Sequence, residues 1–194
     1  LVISLGITYF VINYAFLSTE SYSSMEDYIS STKNEFSYEI EDIIYEEEWT
    51  GFHIKMISGE WLDSKKVENT EWWHYVDIVI PKETKADTGI MFIDSGVEDE
   101  TYFRLDSTSI GYALKSKSII VNIHNIPFQP INFLDSEQES FYEDDLIAFA
   151  WNQFLEKGAK QKDIEWLPRL PMTRAVVRAM DLAQEIAFQN SVSL

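Results

Sequence analysis

The chain predicts an α/β fold, and three observations carry that prediction. Apolar runs and helical periods follow one another in the order strand, strand, strand, helix, strand, helix, helix. This is the order of a sheet with right-handed crossovers. The runs at 89–93 and 118–123 are apolar at nearly every position, as strands buried on both faces of a parallel sheet are. The last long segment is an amphipathic helix of the kind that covers a sheet.

The elements follow in order. Residues 1–17 are mostly apolar, interrupted by Ser4, Thr8 and Asn13 and by no charge. The run is slightly short for a membrane span of about 20 residues. Ser18, Thr19 and Ser21 follow it, so it reads as the apolar core of a secretory signal peptide. A membrane anchor and a buried element of the fold are the alternatives. Residues 18–48 read as a spacer. Within it, residues 18–34 are rich in Ser, Tyr and Glu without a strong period, and read as spacer or loosely held helix. The domain itself is expected over 49–194.

Phe52, Ile54 and Met56 alternate with His53, Lys55 and Ile57, an imperfect period of two and therefore a strand. Val76, Ile78 and Ile80 alternate cleanly, and Pro81 ends that strand. Residues 89–93 give the third strand. Residues 101–116 carry a mixed helical pattern through Leu105, Ile110 and Leu114. The fourth strand lies at 118–123. Pro127 and Pro130 then force a turn. Residues 142–157 form a helix, with Asp144 or Asp145 as its cap and Leu146, Phe149, Ala150, Phe154 and Leu155 on its buried face. Gly158 stops it. A loop over 160–170 leads to the last helix, where Pro171 suits the first helical position because its missing N–H is an orphan there. Met172, Val176, Ala179, Ala183 and Ile186 make the apolar face. Arg174, Arg178, Asp181 and Glu185 make a charged stripe beside it, with Arg178 and Asp181 within pairing reach. Trp151 and Trp166 read as core filling. The order calls for a further parallel strand directly after this helix, beyond residue 194.

A chain of 194 residues, 45% hydrophobic and 14% aromatic, suits one domain with a substantial core. Asp and Glu number 33 against 15 Lys and Arg, a formal charge of -18. That excess repels phosphate backbones and anionic lipid surfaces, which argues against nucleic-acid partners. It leaves residues 1–17 as the route to a membrane. The chain has no cysteine, so disulfides, thiolate metal sites and cysteine nucleophiles are excluded. His53, His74 and His124 lack the spacing of zinc ligands. No metal and no cofactor is expected.

Five stretches together resemble a known family. Trp72, Trp73 and His74 open a strand that ends at Pro81, similar to a W-x-H motif followed by such a strand. Residues 88–96 are similar to its next strand and glycine turn. Pro127, Phe128, Gln129 and Pro130 are similar to its P-N-Q-P turn, with Phe128 in place of the asparagine. Glu143, Asp144, Leu146, Ile147, Ala148 and Trp151 match an E-D-x-L-I-A-x-x-W helix. Residues 166–181 resemble the family's proline-braced helix. The family is that of the PhoPQ-activated pathogenicity-related proteins, a group of α/β-hydrolase-like secreted proteins. The resemblance runs from about Trp49 to Asp181.

The resemblance implies the front half of an α/β-hydrolase-like sheet: antiparallel lead strands, then parallel strands with crossover helices. It also implies a secreted or extracytoplasmic protein. Its partner would be a small-molecule or peptide substrate, or a cell-surface partner, since the family is also associated with signalling. A hydrolase of this class carries its serine in a strained G-x-S-x-G turn, with the acid and histidine later in the chain. The sequence has no such motif, so no catalytic residue is assigned. In the family, the corresponding turn lies beyond residue 194. Ser95, Gly96 and Val97 occupy the loop after the third strand, which donates an oxyanion-hole N–H in this fold. The family implies a glycine-rich turn there, and this chain keeps only Gly96, so a simple turn is the alternative. His124 sits at the end of the fourth strand, where ligands bind in open α/β sheets. It is expected either to line a pocket or to hydrogen-bond a turn. His74 reads as a structural histidine.

Overall fold

The computed structural model describes residues 23–32, 35–97 and 105–192. Along them run α1 (Met25–Ser31), β1 (Ser37–Tyr45), β2 (Trp49–Glu60), β3 (Glu71–Pro81), β4 (Ile90–Ile93), α2 (Ser107–Ser116), β5 (Ile120–Ile123), α3 (Glu143–Glu156) and α4 (Arg169–Gln189). The readings of residues 1–22 as signal and spacer, and of 101–104 as helix, lie outside the described residues. The sheet has five strands in the order β1-β2-β3-β5-β4. β1, β2, β3 and β5 pair antiparallel, and β4 pairs parallel with β5. The fold is mixed α/β, with antiparallel strands first and a parallel pair at the far edge.

Period-two alternation divides the side chains between two faces. Phe52, Ile54 and Met56 of β2, Val76, Ile78 and Ile80 of β3, and Val121 and Ile123 of β5 form one face. α4 covers it through Ala175, Ala179, Leu182, Ala183 and Ile186. The alanines let the helix backbone approach the sheet closely. The other face carries Val79 and Ile120, covered by Ala113 and Ile110 of α2 and by Leu105. Asp106 caps α2 by accepting from the Thr108 and Ser109 amides at 2.7 and 3.0 Å. A third cluster, around Trp61, Trp72, Phe128, Phe133 and Trp166, packs α3 against the end of the sheet.

Several expectations change. The stretch read as spacer holds β1, and α1 lies where residues 18–34 read as spacer or loosely held helix. Ser37, Glu39 and Glu41 leave β1 with little apolar signal, because it is an edge strand largely open to solvent. A bulge at Glu41 breaks its register between Ile40 and Asp42, so Ile40 faces Ile54 and Ile43 faces Phe52, both on the α4 side. β4 pairs in parallel as expected, but it is an exposed edge and not a buried strand. Asp144 and Asp145 do not cap α3. The Glu143 amide instead donates to Gln129 Oε1 at 2.7 Å. On α3, Leu146 and Ala150 are buried, while Leu155 and Trp151 are exposed. Residues 161–166 form a 3-10 helix, and α4 starts at Arg169. Pro171 is thus its third residue, still within the first turn whose N–H groups have no helical acceptor.

The largest change concerns the charged stripe of α4. Arg174 and Arg178 are both buried. Arg178 donates to the Ser58 carbonyl of β2 at 2.8 Å, and to the carbonyls of Thr32 and Ile29 and the Thr32 hydroxyl at the end of α1. Asp181, its expected partner, is exposed. Burial, then the neighbouring Arg174 charge, lowers the Arg178 pKa. Arg174 lies 3.7 Å from Glu35 Oε2 and 5.3 Å from the Tyr28 ring. Gly59 makes room for this pair. Its φ is +122°, and a Cβ there would stand 2.7 Å from Glu35 Oε2 and 2.9 Å from Arg174 Cζ.

Replacing Arg178 with Met keeps the aliphatic reach but leaves the Ser58 and Thr32 carbonyls buried and unpaired. Chemical denaturation should show a loss of about 3 kcal/mol. An unchanged midpoint would mean that water reaches those carbonyls and the guanidinium is dispensable.

Candidate functional site

The parallel pair ends in a knot of backbone hydrogen bonds. The Asp94 amide donates to the Ile123 carbonyl at 2.8 Å, the Asn125 amide to Ser95 at 3.2 Å, and the Ile126 amide to Asp94 at 3.1 Å. This brings Ser95, Gly96 and Val97 beside His124 and Asn125 at the carboxyl ends of β4 and β5. Gly96 has φ +144°, and its carbonyl accepts from Gln129 Nε2 at 2.6 Å. Gln129 thus ties the loop to α3, whose first amide its Oε1 also receives. The Ser95 amide donates to the Asp94 carboxylate at 2.9 Å. Ile126–Pro127 and Gln129–Pro130 are both cis, which shapes the turn carrying Gln129. Asn125 is fully buried at φ +62°, and its Nδ2 has no hydrogen-bond partner among the described residues.

A second group lies on the α2 face of the sheet. Strand register sets Asp77 of β3 opposite His53 of β2 and Asn122 of β5. The Asp77 carboxylate accepts from His53 Nδ1 at 2.6 Å and from His124 Nε2 at 3.2 Å. His53 Nε2 faces Glu41 Oε2 at 3.8 Å, and its ring stacks on Tyr75 at 4.6 Å. Burial alone would push the Asp77 carboxyl up. The hydrogen bonds from His124 and His53, with their charge, outweigh it and hold the group below the usual carboxylate range. Beside it, Asn122 Nδ2 donates to Ser109 Oγ at 2.8 Å, and that hydroxyl donates to Asp106 Oδ2 at 2.6 Å. The chain Glu41, His53, Asp77, His124 therefore runs from the sheet edge to the strand ends. It can hold protons and fix imidazole orientation. Among the described residues, no group of three His, Cys, Asp or Glu is placed to hold a metal ion.

His74 is fully buried and points to the other face. Burial lowers its pKa to about 4, although hydrogen bonds to the His124 and Asn125 carbonyls oppose the shift. The ring is neutral at pH 7. Its Nδ1 faces two carbonyl oxygens at 3.2 and 3.1 Å, so the proton sits there and Nε2 accepts from Ser58 Oγ at 3.0 Å. His74 thus positions the His124–Asn125 turn from below.

The sequence pointed to His124 and to the Ser95–Gly96–Val97 loop, but not to Asp77, His53, Asn125 or Gln129. One signal could have found two of these. Asp77 and His53 stand out of phase with the apolar residues of their strands and so share one face. Paired acid and imidazole on one face admit a cross-strand contact, but they read equally well as solvated positions. The orphan amide of Asn125 leaves no trace in a sequence.

Comparison with known proteins agrees over most of the chain. Residues 25–194 match the family described as PhoPQ-activated pathogenicity-related protein. Over 163 residues the chain is 34% identical to autocrine proliferation repressor protein A of Dictyostelium discoideum, covering 83% of this chain and 32% of that protein. The chain therefore spans about a third of the length of that relative. No solved structure matches.

Two pH responses follow. The Asp77 pKa is depressed on folding, so its contribution is present above the unfolded value of about 3.9 and lost as pH falls through the folded one. Asp77→Asn should cost about 3 kcal/mol at pH 7. The gap to the parent should shrink below pH 4, as urea titrations at several pH values would show. The His74 pKa is also depressed, from 6.5 to about 4. The unfolded chain then binds the extra proton between those values, so stability rises with pH across that window, by about 3 kcal/mol. His74→Gln should flatten that slope. A slope that survives the substitution would assign it to other groups.

Proposed function

The chain belongs to the PhoPQ-activated pathogenicity-related protein family, and from that membership we propose that it is the N-terminal portion of an extracytoplasmic, α/β-hydrolase-like protein, with its catalytic serine in sequence beyond this chain. The observation that carries the reading is the meeting of Ser95, Gly96 and Val97 with His124 and Asn125 at the ends of β4 and β5. Strand ends of this kind are where open α/β sheets place ligands. The sequence holds no G-x-S-x-G turn to supply a nucleophile.

The residues take separate roles in this reading. The turn at Gly96 forms one wall, in the loop from which this fold donates an oxyanion-hole N–H. Because the Ser95 amide is bonded to Asp94, Ser95 acts through its place in the turn. His124 lines the same site, oriented by Asp77. The orphan Asn125 amide supports a polar occupant nearby. The substrate class is an ester or peptide bond. Residues 1–17 direct the protein out of the cytoplasm or hold it at the membrane.

A second reading has one observation in its favour. The name of the Dictyostelium relative describes an autocrine repressor of proliferation, which suits a secreted signal that uses the same scaffold without catalysis.

The purified chain should turn over no simple ester. Turnover that Ser95→Ala abolishes would overturn the first reading. Mass spectrometry of the native protein should show residues 1–17 removed, or retained only in the membrane fraction. A soluble cytosolic form that keeps them would defeat the extracytoplasmic assignment. Full-length protein that slows proliferation without hydrolysing esters or peptides would decide for the second reading.

A further inference from the structure

α3 is apolar around most of its circumference. Between Leu146 and Leu155 only Asn152 and Gln153 are polar. A surface helix carries one apolar stripe, whereas a helix apolar nearly all round is covered on both sides. One side is accounted for. Leu146 and Ala150 are buried in the cluster around Trp61, Phe133 and Trp166, and Phe149 packs against it. The other side is open among the described residues. Trp151 and Leu155 are 40% and 58% exposed, Ala148 is exposed, and Ile147 and Phe154 are half-buried at the margin. At 3.6 residues per turn these five share one continuous stripe, roughly 120° wide. Trp151 stands at its centre and meets the Phe154 ring edge-on, with 6.1 Å between centroids.

Charge at the two ends of α3 decides what fits this stripe. Glu143, Asp144 and Asp145 make its first turn acidic. Just past its last turn, Lys157, Lys160 and Lys162 are exposed, with Glu156 as the acid among them. Trp151 lies midway between these ends. The apolar residues are also symmetric about it, since Ile147 lies four positions before Trp151 and Leu155 four after. Turned about a two-fold axis at Trp151, such a surface is complementary to itself, as the isologous interface of a homodimer requires. Antiparallel packing then sets Ile147 against Leu155 of the second copy, and each acidic first turn against the other copy's lysines. Opposed helix dipoles add to this preference. Parallel packing would set acid against acid. At physiological salt the long-range repulsion between two chains of charge -18 is screened within about 8 Å, so the local pattern at α3 prevails.

We propose that α3 is the contact of a homodimer in which two copies pack antiparallel about a two-fold axis at Trp151. Trp151 is the anchor, because a tryptophan at the centre of an interface is the residue type that most often carries its energy. Its ring fills a core that the second copy completes. Leu155 and Ile147 flank it from opposite copies, and the charged ends fix the antiparallel register.

Sedimentation equilibrium of the full-length protein tests it, with a reversible monomer–dimer equilibrium as the expected result. Trp151→Glu and Leu155→Lys should each raise the dissociation constant about 30-fold or more. Both side chains are exposed, so the urea midpoint of the monomer should stay at the parent's. Asp144→Lys with Asp145→Lys should weaken the dimer, and adding Lys157→Glu and Lys160→Glu to the same chain should restore it. A dimer that Trp151→Glu leaves intact, or whose charge reversals do not compensate, would overturn the antiparallel contact. Acrylamide quenching of Trp151, read as the difference from Trp151→Phe, separates the remaining outcomes. A protein monomeric at every concentration with Trp151 open to quencher would overturn the dimer and leave the stripe bare. A monomer with Trp151 shielded would overturn it by assigning the stripe to later sequence of the same polypeptide.

Discussion

The fold depends on one buried guanidinium. Arg178 joins the last carbonyls of α1, the Ser58 carbonyl of β2 and the body of α4. The carbonyl end of a helix carries partial negative charge, so a cation there is doubly suited. Ser58 lies where the β2–β3 register shifts between Ile57 and Gly59, so its carbonyl can be drawn out of the ladder. Gly59 then leaves the room that Arg174 and Glu35 need. Without this junction, the segment before β1 would have little reason to close over α4, since α1 is seven residues long and buries only Tyr28.

The two faces of the sheet are stabilised by different physics. The α4 face is apolar, and its order follows from burial. The α2 face carries Asp77, with one imidazole on each side. That carboxylate crosses three strands through hydrogen bonds alone, and it ties the antiparallel part of the sheet to the end of β5. His74 works from the opposite face on the same turn. Both groups keep the strand ends in one arrangement, so the loop at Ser95, Gly96 and Val97 meets a rigid floor.

What the sequence disclosed follows from how strongly each element depends on apolar period. β2, β3 and β5 lie deep in the sheet, and their alternation or apolar runs marked them. α3 and α4 were legible from helical spacing. β1 was not, because an edge strand needs few apolar residues and its bulge spoils the period. Exposure of β4 could not be read, since an apolar run announces burial and says nothing of which neighbour supplies it. Arg174 and Arg178 misled for a related reason. Cations at helical spacing normally face solvent, and only the distant chain around Thr32 and Glu35 turns that face inward. Of the candidate site, His124 and the Gly96 turn were visible as strand-end residues. The capping of α3 by Gln129 and the orphan amide of Asn125 depend on contacts between segments far apart in sequence.

The bulge at Glu41 gives β1 one surplus residue. Ile40 and Ile43 sit on the same side although three positions separate them. Removing Glu41 would restore plain alternation and keep both isoleucines where they are. A single-residue deletion elsewhere in the strand would instead turn every following side chain to the wrong side. β1 therefore has slack at one point and none at others. Length variation among related chains should concentrate there, and its visible cost should be the loss of an acid facing His53, with the sheet itself unchanged.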